Sequence, residues 1–554
     1  MVRRRLGDLL IDANIISKDQ LDQVLAIQRA TKERLGDLLI AQGLVTERQL
    51  IEVLEFQLGV PHVILSRETI DPSVVAMVPE SLALRHMIFP LRRAKNRLVV
   101  AMADPLDHYA IEDLRMATGF QIEAMIAARD EVRLFVDRFY GMKESLGELS
   151  QSVVQDDREG LSDASLTQED SPVVRLVNQI LGQAVAEHAS DVHFDPTGDG
   201  MRIRFRLDGV LRTEQVLAKG LQDVVTARLK IIANLNIAER RLPQDGRMHV
   251  VINGKDVDIR VSTLQTIYGE KTVLRILDAA IGVKGLDFLG FSAPNLAQFR
   301  HMLTQTSGIV LVTGPTGSGK TTTLYSALQE VNHQEVNVLT IEDPVEYLMA
   351  GVNQVPVNLQ TGMTFAKGLR AILRQDPDIL MIGEIRDLET AEIAIRAALT
   401  GHLVLSTIHT TGAVETITRL IDMGAPPFLV ASAVSGVIAQ RLVRTICPDC
   451  KAPYQPTSDE RQMLNAYGLS ADHLAVGRGC GLCGRTGYKG RVAIHEILEI
   501  DSSIREMVTA RSFSGQIQDR LKSQGFTTLR DDGLTKASRG ITTISEVMRQ
   551  TAIK

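Results

Sequence analysis

Residues 314–321 of this 554-residue chain read GPTGSGKT, which fits the phosphate-binding pattern G-x-x-x-x-G-K-[ST]. The run follows an apolar segment typical of a buried strand and leads into a helical pattern. Glycines at this spacing let backbone N–H groups curl around phosphate oxygens, and the start of the helix adds its positive dipole end. We therefore predict an ATP site in which Lys320 binds the β- and γ-phosphates and Thr321 binds Mg²⁺. The predicted nucleotide-binding residues of the loop are Gly314, Pro315, Thr316, Gly317, Ser318, Gly319, Lys320, Thr321 and Thr322.

Polar side chains follow three further apolar segments. Glu342 and Glu384 each end one such segment, and His409 follows a third. In an open parallel sheet, ligands bind at the carboxyl ends of strands, so both carboxylates can meet the Mg–nucleotide and His409 can sense the γ-phosphate. A single acidic residue at the end of a strand often only caps a neighbouring element. Three such elements around one phosphate-binding loop predict an ATPase.

The four cysteines form two C-x-x-C pairs, at 447/450 and 480/483. In a chain whose N-terminus lacks the apolar stretch of a signal peptide, this spacing favours a metal over disulfides. Cys447, Cys450, Cys480 and Cys483 are predicted to bind a structural zinc ion, because paired knuckles of this kind suit tetrahedral Zn²⁺. A redox pair or four metal-free cysteines are the alternatives.

The chain begins with an internal repeat. Residues 5–28 and 34–57 both start with RLGDLLI, and half of their aligned positions are identical. Each unit predicts a short amphipathic helix followed by a second helix that begins with a capping box, which Ser17 and Gln20 supply in the first unit. The repeat is therefore predicted to form two helical hairpins.

The length favours two to four domains, and the patterns predict a multidomain α/β protein. Residues 1–145 combine the helical repeat with a small α/β portion. The polar, acidic residues 146–170 are typical of a flexible linker. Residues 171–284 carry a helix and alternating strands and predict an α+β domain. Residues 285–554 alternate strands and helices, as a parallel sheet requires.

Charge and hydropathy argue against two classes of function, nucleic-acid binding and membrane spanning. The net charge of −6 gives no reason to expect nucleic acid as a ligand. The longest apolar stretch, 428–439, is too short for a membrane span, which needs roughly 20 residues. We therefore expect a cytoplasmic protein that meets a membrane only through partners.

Together, these motifs resemble the secretion ATPases of type II secretion and type IV pilus assembly. TIEDPVE at 340–346 is similar to the Asp box of that family, LRQDPDILMIGEIRD at 373–387 to its Walker B region, and GHLVLSTIHT at 401–410 to its His box. The second domain also resembles that of the family, in the motifs SDVHFDP (190–196), RFRLDG (204–209), RLPQDGR (241–247) and DIRVST (258–263). The resemblance covers essentially the whole chain.

The resemblance implies a homohexamer. Each subunit would have a RecA-like ATPase domain with a zinc-binding insertion, and a PAS-like second domain that packs on the neighbouring subunit. It also implies that Glu342 polarises the attacking water, that Glu384 helps to hold Mg²⁺, and that Arg247, Arg260 and Arg275 contact phosphates as the site closes. Such charges suit a loose phosphoryl-transfer transition state. The alternative for these arginines is a solvated strand face, which alternation alone also predicts.

The tandem repeat resembles the N-terminal domain of these ATPases that binds cyclic di-GMP. That ligand has two similar halves, so each unit could hold one. Arginine suits phosphate and guanine edges, glycine allows close approach, and leucine offers apolar contact. The predicted contact residues are Arg5, Leu6, Gly7, Leu21, Leu25, Gln28, Arg34, Leu35, Gly36, Leu50, Leu54, Gln57 and Asp104. The alternative is a helical docking domain for a membrane platform protein, with the leucines forming only a core.

The resemblance therefore implies an ATPase that powers pilin or pseudopilin assembly, in type IV pilus biogenesis or type II secretion, under cyclic di-GMP control. Its implied partners are an inner-membrane platform protein and cytoplasmic accessory proteins, which would place it peripherally at the inner membrane. A nucleotide-binding regulatory scaffold with little turnover is one alternative, against which the intact Lys320, Glu342 and Glu384 argue. A nucleic-acid translocase is the other, and the acidic balance argues against it.

Overall fold

The computed structural model describes most of the chain from residue 60 onwards. Described are residues 171–552 apart from 253 and 278–284, residues 60–136 apart from 66, 67, 69, 76 and 106, residue 140, and scattered positions among the first 59 residues, the longest run being 15–31. The predicted linker at 146–170 and the predicted ligand contacts Arg5, Leu6, Gly7, Arg34, Gly36, Leu50, Leu54 and Gln57 lie outside the described residues.

The N-terminal region contains a small sheet of three strands. Its described elements are α1 (Lys18–Thr31), α2 (Pro72–Val75), α3 (Glu80–His86), β1 (Ile88–Ala94), β2 (Arg97–Met102), α4 (His108–Thr118), β3 (Gln121–Ile126) and α5 (Arg129–Val136). Strand β2 lies between antiparallel β1 and parallel β3. The capping box predicted before α1 is confirmed, because Ser17 and Gln20 exchange backbone-to-side-chain hydrogen bonds of 2.8 and 3.2 Å.

The middle region is a six-stranded antiparallel sheet with two helices. Its elements are α6 (Pro172–Ala186), β4 (Asp191–Pro196), β5 (Gly200–Leu207), β6 (Val210–Ala218), α7 (Gln222–Ile232), β7 (Gln244–Ile252), β8 (Lys255–Thr266) and β9 (Gly269–Leu277). The strand order is β6-β5-β4-β9-β8-β7. Both helices share one apolar core with inward-facing residues such as Ile259 and Val261. Since strand residues alternate between faces, Arg260 lies on the opposite face of the sheet.

The C-terminal region contains a seven-stranded sheet with helices on both faces. Its elements up to β14 are α8 (Ala293–Leu303), β10 (Gly308–Thr313), α9 (Lys320–Val331), β11 (Val338–Glu342), β12 (Val352–Pro356), α10 (Phe365–Ile372), β13 (Ile379–Ile382), α11 (Leu388–Leu399) and β14 (Leu403–Ile408). The remaining elements are α12 (Ala413–Asp422), α13 (Pro427–Ala433), β15 (Val434–Ile446), β16 (Lys451–Tyr454), α14 (Ser458–Ala466), β17 (Leu474–Gly477), β18 (Tyr488–Glu499), α15 (Ser502–Thr509), α16 (Ser514–Ser523), α17 (Leu529–Ser538) and α18 (Ile544–Thr551).

The strand order of this sheet is β12-β11-β13-β14-β10-β15-β18, and only β18 runs antiparallel to its neighbour. Strand β10 is buried on both faces, because Ile309 and Leu311 belong to one apolar cluster while Val310 and Val312 belong to the cluster on the other side. The predicted mixed α/β fold is therefore confirmed. Within the part of the chain that the structure describes, no helix combines the length and the apolarity needed to cross a bilayer.

Candidate functional site: the phosphate-binding loop and its surroundings

The phosphate-binding loop lies between β10 and α9, at the carboxyl edge of the parallel strands. Gly314, Gly317 and Gly319 all have positive φ angles, of 151°, 78° and 87°. At Gly314 a side chain is also excluded by contact, since a Cβ there would lie 2.5 Å from the carbonyl oxygen of Gln440. The loop therefore needs glycine both for its backbone conformation and for close packing on β15.

Lys320 is buried at the first position of α9 and points back into the loop. Its Nζ donates hydrogen bonds to the carbonyl oxygens of Gly314 at 2.9 Å and Pro315 at 3.1 Å. Burial lowers the pKa of Lys320 to about 8, an effect that Glu384 opposes and Arg441 reinforces. The ammonium group is thus held inside the loop, where it can meet phosphate oxygens.

Side chains around Lys320 complete the loop. Thr321 and Thr322 are exposed in the first turn of α9, and Pro315 and Thr316 are exposed at the tip of the loop. The hydroxyl of Ser318 is buried and has no protein partner. The exposed Thr321 hydroxyl is suited to bind a hard cation such as Mg²⁺.

Glu384 and His409 meet beside Lys320. Glu384 follows β13, and its Oε1 accepts a hydrogen bond from Arg386. Its Oε2 lies 3.6 Å from Nε2 of His409, a side chain that is about half exposed. Burial, followed by the charge of Lys320, lowers the pKa of His409, whereas Glu384 acts in the opposite direction. The structure thus brings Lys320, Glu384 and His409 together at one edge of the sheet.

Glu342 ends β11 and is only 3% exposed. Its Oε1 accepts hydrogen bonds from Thr340 at 2.6 Å and from Gln354 at 3.1 Å. Its Oε2 accepts a hydrogen bond from the hydroxyl of Tyr325. A carboxylate with three donors is fixed in orientation, and it has roughly four acceptor positions in all.

The three predicted arginines form a row across the middle sheet. Arg247 on β7 lies directly opposite Arg260 on β8, and Arg260 lies opposite Arg275 on β9. Direct cross-strand partners share one face of an antiparallel sheet. Arg247 and Arg275 are exposed, and Nε of Arg275 lies 3.0 Å from Asp191. This concentration of positive charge suits an anionic ligand.

Arg260 connects this row to the C-terminal region of the same chain. Its Nη2 lies 3.0 Å from Oε2 of Glu346 and donates to the carbonyl oxygen of Val345 at 3.2 Å. Both residues belong to the loop that follows β11 and Glu342. The middle sheet therefore contacts the segment next to the candidate site.

Sequence reasoning missed two residues of β15, one that holds the phosphate-binding loop and one that holds the loop after His409. Nε2 of Gln440 donates to the carbonyl oxygen of Ser318 at 2.7 Å, and its Oε1 accepts from Thr323 at 2.7 Å. Arg441 donates to the carbonyl oxygen of Thr411, in the loop after His409. A polar Gln-Arg pair inside a long apolar strand was the available signal.

The four cysteines converge where β15 ends and β18 begins. Their sulfur atoms all lie within 4.8 Å of one another, and the 447–480 and 450–483 pairs are each 3.9 Å apart. A tetrahedral zinc ion with Zn–S bonds of about 2.3 Å has S···S edges of roughly 3.8 Å. These distances fit a four-thiolate zinc site.

Backbone N–H groups further suit this cluster to a metal. Burial raises the pKa of Cys447 and of Cys450. Burial also raises the pKa of the Cys483 thiol, but N–H donors from Cys480 and Gly487, together with the thiols of Cys480 and Cys450, outweigh burial and lower this pKa to about 7. The donors lie 3.2 and 3.3 Å from the sulfur atom. Such second-sphere hydrogen bonds stabilise the thiolate that binds zinc.

Several predicted ligand contacts of the N-terminal repeat lie in or near a small apolar cluster. Leu21 is buried in it, and Leu25 and Leu35 are half-buried against it. Gln28 and Asp104 are both half-buried, the latter just after β2. The leucines therefore have a packing role, and they remain predicted ligand contacts.

Comparison with known proteins adds independent findings. Residues 167–549 match the family described as Type II/IV secretion system protein, and residues 58–146 match the MshEN domain. The chain is 42% identical over 561 residues to the type IV pilus assembly ATPase PilB of Myxococcus xanthus, with 99% of each chain covered. It is 48% identical over 385 residues to the type II secretion system ATPase E of Vibrio cholerae, covering 70% of this chain and 76% of that protein.

A solved structure shares the fold. The ATPase DotB of Yersinia pseudotuberculosis superposes with a TM-score of 0.51 and 20% sequence identity, covering 68% of this chain and 93% of that one.

Proposed function

Because the chain belongs to the family of type II and type IV secretion system ATPases, we propose that it hydrolyses MgATP as a homohexamer to power pilin or pseudopilin assembly. The proposal depends chiefly on one observation. Lys320, Glu384 and His409 converge beside the phosphate-binding loop, while Glu342 ends β11, the strand next to the β13 strand that Glu384 follows. This is the arrangement that phosphoryl transfer to water requires.

In this proposal Lys320, Thr321, Glu384 and Glu342 each have one task in the reaction. The loop amides and Lys320 bind the β- and γ-phosphates, and Thr321 with Glu384 would hold Mg²⁺, which neutralises phosphate charge. Glu342 polarises a water molecule, whose oxygen forms a bond to the γ-phosphorus while the bond to the β–γ bridging oxygen breaks. Glu342 takes the proton of the water, and ADP leaves with the electron pair of that bond.

Arginines of the middle domain supply further positive charge. In this proposal Arg247, Arg260 and Arg275 contact the phosphates as the domains close, and the hexamer brings a neighbouring middle domain onto each ATPase domain. The row of cross-strand pairs supports this role, because it concentrates three guanidinium groups on one face. A zinc ion bound by Cys447, Cys450, Cys480 and Cys483 would be structural, since four thiolates leave no open position for water.

The N-terminal domain is proposed to bind cyclic di-GMP and thereby to regulate the motor. The match to the MshEN domain and the tandem RLGDLLI repeat support this assignment. Titration of cyclic di-GMP into the full-length protein by calorimetry tests it. Arg34→Ala is expected to abolish the binding heat, whereas Arg115→Ala, which removes an exposed arginine of α4, is expected to leave it unchanged. A folded protein that gives no heat would contradict the proposal.

The proposed setting is the cytoplasmic face of the inner membrane. A membrane platform protein and cytoplasmic accessory proteins of the secretion or pilus machine would hold the ATPase there. The names of the relatives, a pilus assembly ATPase and a type II secretion ATPase, support an association with one of these machines and do not decide between them.

Phosphate release by the full-length protein tests the proposed hydrolysis. Glu342→Gln should lower kcat by about 100-fold or more while nucleotide binding persists, because only the base is lost. Lys320→Ala should lose nucleotide binding. Glu335→Gln, which changes an exposed glutamate before β11, is the matched control and should behave as wild type. Wild-type turnover by Glu342→Gln would overturn the role of Glu342.

A further inference from the structure

The hydroxyl of Tyr325 lies at the centre of a buried hydrogen-bond chain. Tyr325 is on α9, five residues after Lys320, and is 1% exposed. Its hydroxyl donates to Oε2 of Glu342 and accepts a hydrogen bond from the backbone N–H of Glu346 at 3.2 Å. One helix thus carries both the phosphate-binding lysine and the phenol that contacts the candidate base.

The surroundings fix this phenol in place. Its ring packs edge-on against the ring of Tyr347, with centroids 6.0 Å apart and planes at 74°. The other carboxylate oxygen of Glu342 is occupied by Thr340 and Gln354. A buried carboxylate oxygen that loses its donor must find another partner or turn away. Tyr325 therefore determines the orientation of the Oε2 side of Glu342.

The chain extends to the middle domain through Glu346. The backbone of Glu346 contacts Tyr325, while its carboxylate pairs with Arg260 at 3.0 Å. Arg260 also holds the neighbouring carbonyl of Val345. A shift of the middle sheet would therefore move the segment that holds the Tyr325 hydroxyl.

We propose that Tyr325 is a positioning residue for ATP hydrolysis, which orients the Glu342 carboxylate and connects it through Glu346 to Arg260 of the middle domain. The inference rests on the proposed role of Glu342 as the group that polarises water. Beyond that role, Tyr325 holds the carboxylate in place, and a movement of the middle domain would alter the carboxylate's orientation through Glu346 and Tyr325.

Steady-state and binding measurements on the full-length protein test the positioning role. Tyr325→Phe keeps the ring and removes only the hydroxyl. We expect kcat to fall about tenfold, with KM and the affinity for a fluorescent ATP analogue changed less than about twofold, because the phosphate contacts stay intact. Thermal melting monitors folding. An unchanged or raised kcat in Tyr325→Phe would overturn the proposal.

A matched control is available in the zinc-binding insertion. The hydroxyl of Tyr454 also donates to a carboxylate, that of Glu460, at 2.6 Å. Tyr454→Phe removes the same kind of hydrogen bond outside the phosphate-binding loop and the elements that flank it, and should leave kcat unchanged. An equal loss of kcat in both variants would indicate a general structural effect and would contradict a specific role for Tyr325.

Double variants distinguish the inference from the function on which it rests. Single-turnover rates are compared for Glu342→Gln, Tyr325→Phe and the double variant. If Tyr325 acts through Glu342, adding Tyr325→Phe to Glu342→Gln should cost less than about twofold. A further tenfold loss would overturn the inference alone. Wild-type turnover by Glu342→Gln would instead refute the proposed function of that residue.

The connection to the middle domain has its own test. Glu346→Gln weakens the pair with Arg260 but keeps the backbone N–H that donates to Tyr325. We expect kcat to fall about threefold in the wild-type background and to be unaffected in the Tyr325→Phe background. Equal losses in both backgrounds would show that Glu346 acts independently of Tyr325 and would overturn this part of the proposal.

Discussion

The side-chain amide of Gln440 donates a hydrogen bond to the carbonyl oxygen of Ser318 over 2.7 Å and thereby ties β15 to the phosphate-binding loop. The same side chain accepts a hydrogen bond from Thr323 on α9. Gln440 is 2% exposed, so both bonds are shielded from water. The loop is therefore held from β15 by a residue that contacts neither phosphate nor metal in the proposed mechanism.

Replacing Gln440 by alanine should loosen the loop. The variant removes the donor of the buried Ser318 carbonyl, at a cost of about 1–3 kcal/mol, and leaves the Thr323 hydroxyl only its 3.3 Å bond to the carbonyl oxygen of Gly319. We expect KM for ATP to rise about tenfold, with a lower melting temperature that added MgATP partly restores. Gln524→Ala, on an exposed residue after α16, is the control. An unchanged KM would show that the loop keeps its shape without this support.

Two glycines of the loop should differ in their tolerance of alanine. At Gly314 a methyl group would lie 2.5 Å from the backbone carbonyl of Gln440, which cannot move without β15. At Gly317 a Cβ has no neighbour within 4 Å, so only the positive φ opposes it, at a cost of about 1 kcal/mol. We expect Gly314→Ala to lose measurable ATP binding and Gly317→Ala to weaken it about tenfold or less. The reverse order in a fluorescent nucleotide titration would contradict this explanation.

The lowered pKa of Lys320 predicts that ATP affinity depends on pH. Burial brings this pKa to about 8, below the ordinary value of 10.5, so the ammonium is lost as pH rises through 8. Because the charged form binds phosphate, affinity should fall about tenfold between pH 7 and pH 9. In Lys320→Arg the side chain keeps its charge over this pH range, so the ATP affinity of this variant should not change with pH. A wild-type affinity that is constant up to pH 9 would refute the lowered pKa.

Much of the site could be predicted from the sequence because its residues determine the local backbone conformation. Spacing in the sequence is enough to identify the glycines of the loop, the strand ends at Glu342 and Glu384, and the paired cysteines. The family match confirms the resemblance to secretion and pilus-assembly ATPases that these motifs indicate. Local features of this kind can be predicted without knowledge of the tertiary fold.

Contacts between distant segments could not be predicted in this way. Tyr325 fits an apolar helix pattern, and nothing in that pattern shows that its hydroxyl meets Glu342. Arg260 and Glu346 are 86 residues apart, and their contact depends on how two domains pack. The structure divides the apolar stretch 428–439 between α13 and β15, at residues 433 and 434, and its hydropathy alone does not indicate that boundary. Side-chain partners and strand order emerge only from tertiary packing.

The cysteine cluster should hold one zinc ion that stabilises the insertion between β15 and β18. Metal analysis of the purified protein should give about one zinc per chain, and Cys450→Ser should reduce it strongly, since one thiolate of four is lost. The variant should melt at a lower temperature and be cut more readily by protease between residues 447 and 483, because metal binding contributes to local folding. Ser458→Ala, at the start of α14 in the same insertion, should keep its zinc. Wild-type protein that contains no zinc and melts unchanged after chelation would show that the four thiols pack without metal.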